Sequence, residues 1–515
     1  MKHCVPGTAA AVLLLACSAV LPLHAAGSGA VALDKSAASR AAGGEGRTMT
    51  FTVEKAVDYA MANSRTIKSA DIDLEIKRRA AANSWNVFLP TVQVGGTLNR
   101  ANDVSATVKT ANESAKASVA MQNAMIQMQN AMAASLAALS PGSTPATIPL
   151  MEAEEIKETE SMHWSAIGNL NVSLNLSLAY IEQIKAAKRG YEGGQISWGQ
   201  TRRETVTNVK KLFYGLLLQQ ENVRLQQDTL ENARRRSEQA RINFENGAIP
   251  ELRYLQASVA YENQKPSVAD AQRLLKQQFD MFAFILGVPV GTNIVLEGDI
   301  SPSWLELSAE DLLARYGSTS LSVRSLNNNI ASLQSNLRAV NLSSWTPALS
   351  FSWGWQPMIN NIFDSDTDWF DSDSWSDRGS LSVTLGMNLT NILPFSSNRQ
   401  QAKDLKANIA KLELSMETVL ENQKVQVRKY VDSLLTAREQ MEVMRRNINL
   451  AQRSYNMTLL SYQNGATELL ELRDTESQLY QAQLGLANQK YNYISALLDL
   501  ENTLDADLTK QYASD

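Results

Sequence analysis

Cysteine and histidine are nearly missing from this chain. The only cysteines, Cys4 and Cys17, and two of the three histidines, His3 and His24, fall in the first 24 of 515 residues. The chain beyond His24 can therefore form neither a disulfide nor a thiolate metal site, and His163 alone remains for acid–base or metal chemistry. There is no GxxxxGK[ST] phosphate loop and no GxGxxG turn. These absences exclude most enzyme classes, so the chain is expected to be no enzyme and to need no cofactor. Lys plus Arg number 48 against 53 Asp plus Glu, a net charge of -5, which lacks the basic excess that a nucleic-acid partner calls for. Long apolar runs are missing too: beyond the leader, stretches such as 281–288 fall far short of the roughly 20 residues of a spanning helix. Any part of this chain that crosses a membrane must do so as strands.

The leader carries Lys2, an apolar run over about 9–23 and the small residues Ala25, Ala26, Gly27 and Ser28. This reads as a secretory signal over 1–27, followed by a flexible segment 28–48. Cys17, after Leu14, Leu15 and Ala16, is a candidate for lipidation, the alternative being a cysteine inside an ordinary apolar run.

A repeat organises the rest. Phe244, Asn246, Gly247, Ala248 and Leu252 recur as Tyr462, Asn464, Gly465, Ala466 and Leu470, 218 residues on, whereas Pro90 answers Pro347, 257 residues on. The first copy, 49–290, is thus longer than the second, 319–505, and its surplus lies in 101–168, read as an inserted loop. The linker 291–318 separates the copies, and 506–515 is a tail.

Strand patterns are sharp. Leu170, Val172, Leu174, Leu176 and Leu178 alternate with Asn and Ser, and Leu381, Val383, Leu385, Met387 and Leu389 alternate with Ser, Thr, Gly and Asn. A strict period of two gives each strand one oily and one wet face. Val92, Val94 and Leu98, and Leu349, Phe351, Trp353 and Trp355, mark weaker partners. Each copy is expected to supply one β-hairpin, about 90–100 with 169–179 and about 347–356 with 380–390, the second closed by an acidic loop 357–379. Four such strands cannot close a barrel in lipid alone, because open edges leave backbone groups unpaired in hydrocarbon. The barrel must be shared between copies of the chain.

Helical spacing dominates elsewhere. Val209, Phe213, Leu216, Gln220, Val223 and Gln227, and Tyr430, Leu434, Ala437, Met441 and Met444, step by threes and fours. Two long antiparallel helical hairpins, 184–286 and 399–504, are expected, each turning at its Asn-Gly pair. Glutamine within the seams suits helices whose inner face borders water.

With these features in order and duplicated, the chain resembles the TolC family of outer-membrane efflux and type I secretion channels over roughly 49–505. The resemblance is carried by Phe51, Glu54, Ala56, Ala60 and Asn63 at the start, Phe88-Leu89-Pro90 before the first strand, Leu286, Gly287 and Pro289 closing the first copy, and Leu393-Pro394-Phe395 with Asn398 and Arg399 leading into the last long helix. The glycine pair usual after the second strand is missing, and both strand loops are enlarged. The resemblance implies a mixed fold of helix and transmembrane β: a homotrimer with a 12-stranded β-barrel in outer-membrane lipid and a coiled-coil α-barrel across the periplasm. It also implies a periplasmic adaptor, or membrane fusion protein, and an inner-membrane transporter as partners. Adaptor docking is expected at the tips, Asn246, Gly247, Ala248, Asn464, Gly465 and Ala466. At the sixth and ninth positions after the second tip glycine the family carries acidic rings, which puts Glu471 and Asp474 at the gate and selectivity filter. Arg253 holds the sixth place in the first copy and is a possible gate latch.

Other features have plainer readings beside the sharper ones. Asp364, Asp366 and Asp368 alternate like calcium ligands, but without an EF-hand glycine they are read as a solvated acidic loop. Arg234, Arg235 and Arg236 suggest a wet face or ion pairs between copies. His163 has no assigned role. From another class, a secreted coiled-coil adhesive or structural surface protein would share the long helices, but it has no use for isolated strands with an outward apolar face.

Overall fold

The computed structural model describes residues 48–138, 144, 147–365 and 367–509. The expected signal 1–27, Cys17, Asp366 and nearly all of the tail lie outside the described residues. In chain order the elements are β1 (Met49–Phe51), α1 (Val53–Asn63), α2 (Arg65–Ala82), β2 (Thr91–Arg100), α3 (Ser105–Ala138), β3 (Trp164–Leu176), α4 (Ala179–Glu245), α5 (Glu251–Leu286), β4 (Ile294–Leu296), α6 (Ala309–Tyr316), α7 (Leu321–Trp345), β5 (Ala348–Trp355), β6 (Pro357–Asn360), β7 (Ser376–Asp377), β8 (Ser380–Gly386), α8 (Ser397–Gln463) and α9 (Leu469–Leu504). The long helices α4 and α8 have 67 residues each and the returning helices α5 and α9 have 36 each. No helix among the described residues is long and apolar enough to cross a membrane.

The chain divides into two compact units. One gathers the residues up to Arg65, Asn208–Pro302 and Ala437–Ile494; the other gathers Thr66–Thr207, Ser303–Thr436 and the chain from Ser495 onward. In the first unit, β1 pairs in parallel with β4. Around that pair Phe51, Ala56, Ala60, Val209, Phe213, Leu216, Phe282 and Leu286 form the core. The alanines of α1 face it because they recur four apart, and Thr52 caps that helix by accepting from the Lys55 N–H. Of the heptad positions read from α4, Val209, Phe213, Leu216 and Val223 are buried. Gln220 is half-buried and Gln227 is exposed, so the seam is wet at both.

The second unit is built on an antiparallel sheet. β2 pairs with β3, β3 with β5, and β5 with β8, so the two expected hairpins lie side by side. Register aligns like with like. Val92, Val172, Trp353 and Leu381 form one cross-strand row, and Leu174, Phe351 and Val383 form the next. The intervening rows carry Asn171, Ser173, Asn175, Ser350 and Ser352, and Ser350 Oγ donates to Asn175 Oδ1 at 2.6 Å. The apolar face is bare: Val94 is 80% exposed and Leu381 72%. β2 and β8 each pair on one side only, which leaves two open edges.

The segment 101–168, read as a loop, is more ordered than that. It holds the 34-residue helix α3, and the strand β3 begins at Trp164, inside the range assigned to the loop. Hydrophobic periodicity is weak in this helix because apolar residues stand on both faces: half-buried Val108, Val119 and Ile126 share the inner face with three asparagines, and exposed methionines line the outer one. Asn112, Asn123 and Asn130 each donate to the carbonyl and accept from the N–H of one residue, Ile156, Met151 and Ile148 respectively, at 2.7–2.9 Å. Three carboxamides thus take the place of a neighbouring strand for the extended return segment. The acidic loop is likewise partly strand: β6 and β7 lengthen the sheet beside β3.

Candidate functional site

Both helical hairpins turn by the same backbone device. At the first tip Gly247 N–H bonds Phe244 O at 2.8 Å and Ala248 N–H bonds Asn243 O at 2.8 Å; at the second, Gly465 N–H bonds Tyr462 O at 3.0 Å and Ala466 N–H bonds Ser461 O at 2.9 Å. This pair of bonds needs a left-handed residue, and φ is +73° at Gly247 and +76° at Gly465. Asn246 and Asn464 close the preceding helices. The repeated Asn-Gly-Ala therefore ends two helices identically and presents small, exposed residues at each turn.

Side chains beyond the turns differ. In α9, Glu471 and Asp474 are exposed and three residues apart, so they share a face, and Glu471 accepts from the Thr467 hydroxyl at 3.1 Å. Arg253, at the equivalent place in α5, is exposed and has no acidic partner within the chain among the described residues, so any latch it makes must reach another copy.

A largely buried ion pair within the protomer involves other residues. Arg236 of α4 donates through Nη2 to Glu476 Oε2 at 2.6 Å and through Nη1 to Oε1 at 3.2 Å, and Asn232 donates to the same carboxylate at 3.2 Å. The side chains are 12% and 8% exposed. A bidentate fork in such a place is strong and specific in geometry. Tyr455 of α8 lies beside it, and burial, followed by the Glu476 charge, pushes its phenol up. A cavity of about 350 Å³, lined by Gln226, Arg236, Asn263, Arg473, Glu476 and Tyr480, opens onto the pair. Of the arginine triplet, only Arg234 and Arg235 are wet: both bond Glu231 on their own helix, which holds that carboxyl down to about 2. Arg236 faces inward because residues one apart on a helix point about 100° apart.

The outer loops of the sheet have their own polar fastenings. His163 Nδ1 lies 2.7 Å from Ala101 O and Nε2 lies 3.0 Å from Glu158 Oε1, and Arg100 pairs with Glu160 at 2.8 Å. The histidine left without a role thus staples the base of the inserted segment. In the acidic loop the carboxylates cap turns. Asp368 accepts from Phe370 N–H, Asp371 from Asp373 N–H, and Asp377 from Gly379 and Gln356 N–H. Among the described residues no cluster of three acidic, histidine or cysteine side chains is arranged to hold a metal ion; Asp366, the middle one of the three carboxylates considered as calcium ligands, lies outside them.

The profile of the family described as Outer membrane efflux protein matches residues 56–288 and 349–505. No curated protein sequence matches the chain. Among solved structures, the CmeC outer membrane channel of Campylobacter jejuni superposes with a TM-score of 0.66 at 14% identity, over 90% of this chain and 88% of that one. The outer membrane protein VceC of Vibrio cholerae gives 0.62 at 12% identity over 88% and 96%. The open state of the MtrE outer membrane channel of Neisseria gonorrhoeae gives 0.59 at 16% identity over 88% and 89%. At such identities the likeness is one of fold.

Proposed function

Since the chain belongs to the outer membrane efflux protein family, we propose that three copies form a 12-stranded barrel in the outer membrane and serve as the exit duct of a tripartite efflux pump or type I secretion system. The observation that carries this reading is the sheet's four long strands, β2, β3, β5 and β8, with a bare apolar face and with β2 and β8 each paired on one side only. In lipid an unpaired edge costs several kcal/mol per backbone group, so β2 of one copy pairs with β8 of the next until the ring closes. The paired Asn and Ser rows then line a wet lumen. The long helices build the periplasmic tunnel, and their seam glutamines border its water.

The hairpin tips dock the periplasmic adaptor, which joins the duct to an inner-membrane transporter. Two similar but unequal tips per copy give six around the trimer. Glu471 and Asp474, on one face of α9, converge by threefold symmetry as six carboxylates at the tunnel's narrow end. In a confined, low-dielectric passage their fields add and favour cations. Arg253 cannot extend that ring and instead latches the closed state by pairing with a neighbouring copy.

Planar-bilayer recording tests the gate. Glu471→Ala with Asp474→Ala is expected to weaken cation preference and relieve block by multivalent cations, and Arg253→Ala is expected to raise resting conductance. Unchanged selectivity and conductance would remove these residues from the gate. Cell fractionation with heat-modifiable gel migration tests the duct itself: a soluble monomer would refute it.

A further inference from the structure

The helix α3 has two opposed faces, and the protomer uses only one. Asn112, Asn123 and Asn130 hold the chain's own return segment. About 180° round the helix stand Met121, Met125, Met128 and Met132, which are 66%, 54%, 60% and 58% exposed, with Leu136 continuing the face at 67%. The intervals 4, 3 and 4 keep a seven-residue period, which is the spacing of a helix that packs along another helix. From Ala117 to Ala138, 22 residues, there is no Asp, Glu, Lys or Arg. A helix meant to face water relies on charge for solubility, and one meant to lie on lipid headgroups carries Lys or Arg on its polar side. This helix has neither provision.

Its place in the chain indicates what covers it. α3 begins five positions after the last residue of β2, and β2 is an edge strand whose free side is the seam to a neighbouring copy in the trimer. A threefold assembly therefore brings three identical α3 helices out of three equivalent strands in the same direction. We propose that the methionine faces of the three helices pack on one another as a parallel coiled coil, an intersubunit clasp formed by the inserted segment. Methionine suits such a contact because its unbranched thioether adapts to an irregular gap. The clasp rests on the trimeric reading above, and its test separates the two.

Met125→Cys and Met128→Cys are made in the full chain, with Ala131→Cys, exposed but about 100° off the stripe, as a control and the parent as the blank for Cys4 and Cys17. In outer-membrane vesicles a short bismaleimide should link Met125→Cys and Met128→Cys, each with one thiol per copy, into covalent dimers at least tenfold more than Ala131→Cys. If the heat-modifiable trimer persists but the stripe positions link no better than the control, the clasp is overturned and the barrel reading stands. If no trimer forms, both fall. If Met125→Cys is shielded from a water-soluble maleimide only when lipopolysaccharide vesicles are present, lipid is the occupant and the clasp is overturned.

Discussion

The two hairpin tips have one backbone and two chemistries. Hydrogen bonds, glycine angles and small flanking residues agree between them, yet Arg253 stands opposite Glu471, Gln256 opposite Asp474, Arg236 opposite Ser454, and Ser258 opposite Glu476. After duplication the turn could not change without losing its left-handed residue, whereas the helix faces were free to diverge. The copies became complementary: the buried cation of the first meets the buried anion of the second. A hairpin with polar core positions gains, through that pair, a fixed partner and a fixed register.

Removing one member of the pair should break the comparison most severely. Glu476→Ala leaves Arg236 buried without its counter-charge and is expected to cost about 3–5 kcal/mol, seen as an earlier thermal transition of the detergent-solubilised protein. Arg236→Ser with Glu476→Ser, which gives both copies the same residues, should cost less than the sum of the single changes, and strict additivity would show that the two side chains are not coupled. Next come the turns. Gly247→Val and Gly465→Val each force a branched residue into left-handed backbone and should cost about 1–2 kcal/mol, equally at both tips. A Cβ meets nothing within 4 Å at either glycine, so trimers should still assemble while cross-linking to the adaptor fails.

The loops between the strands extend the comparison, since the first copy carries a stapled helix where the second carries capped acidic turns. His163→Ala should loosen the staple by about 1 kcal/mol, read as faster tryptic cleavage at Lys109, Lys116 and Lys157, while cleavage at Arg378 in the other loop stays unchanged. The smallest effect belongs to Arg234→Ala, which should leave the thermal transition where it was, although its neighbour Arg236 is among the most sensitive positions. Equal sensitivity of the two arginines would contradict the inward and outward assignment.

The regular parts of this architecture were legible from residue types alone. Alternation at Leu170 to Leu176 and at Leu381 to Leu385 identified the strands, although it runs on in the sequence to Leu178, Met387 and Leu389, which lie beyond the strand ends, and the paired Asn-Gly identified the turns. α3 was not legible, because Asn112, Asn123 and Asn130 interrupt the apolar residues Val108, Val119 and Ile126 of its inner side, and its outward methionines read as low complexity. Glu476 did leave a signal that went unused: it interrupts the buried series Leu472, Leu479 and Ala482, and an acid in such a series demands a buried cation. The partner was illegible because Arg236 lies 240 residues away among three consecutive arginines. The face shared by Glu471 and Asp474 follows from spacing, but what they face depends on symmetry that one chain does not carry.

The asparagine fastening of α3 also works as a vernier. Its three side chains are 11 and 7 residues apart on the helix, and their targets are 5 and 3 residues apart on the return segment. At 1.5 Å per helical residue and about 3.3 Å per extended residue, both scales advance by roughly 16 Å and then roughly 10 Å. The two strokes agree only because a helix consumes about 2.2 residues for each extended one. A single inserted residue on either side slides every later amide out of reach, whereas two helical turns added together with three extended residues restore the match. The length of this insertion is therefore quantised, and lengths that evolution or an engineer can adopt without losing the fastening come in steps of about ten residues.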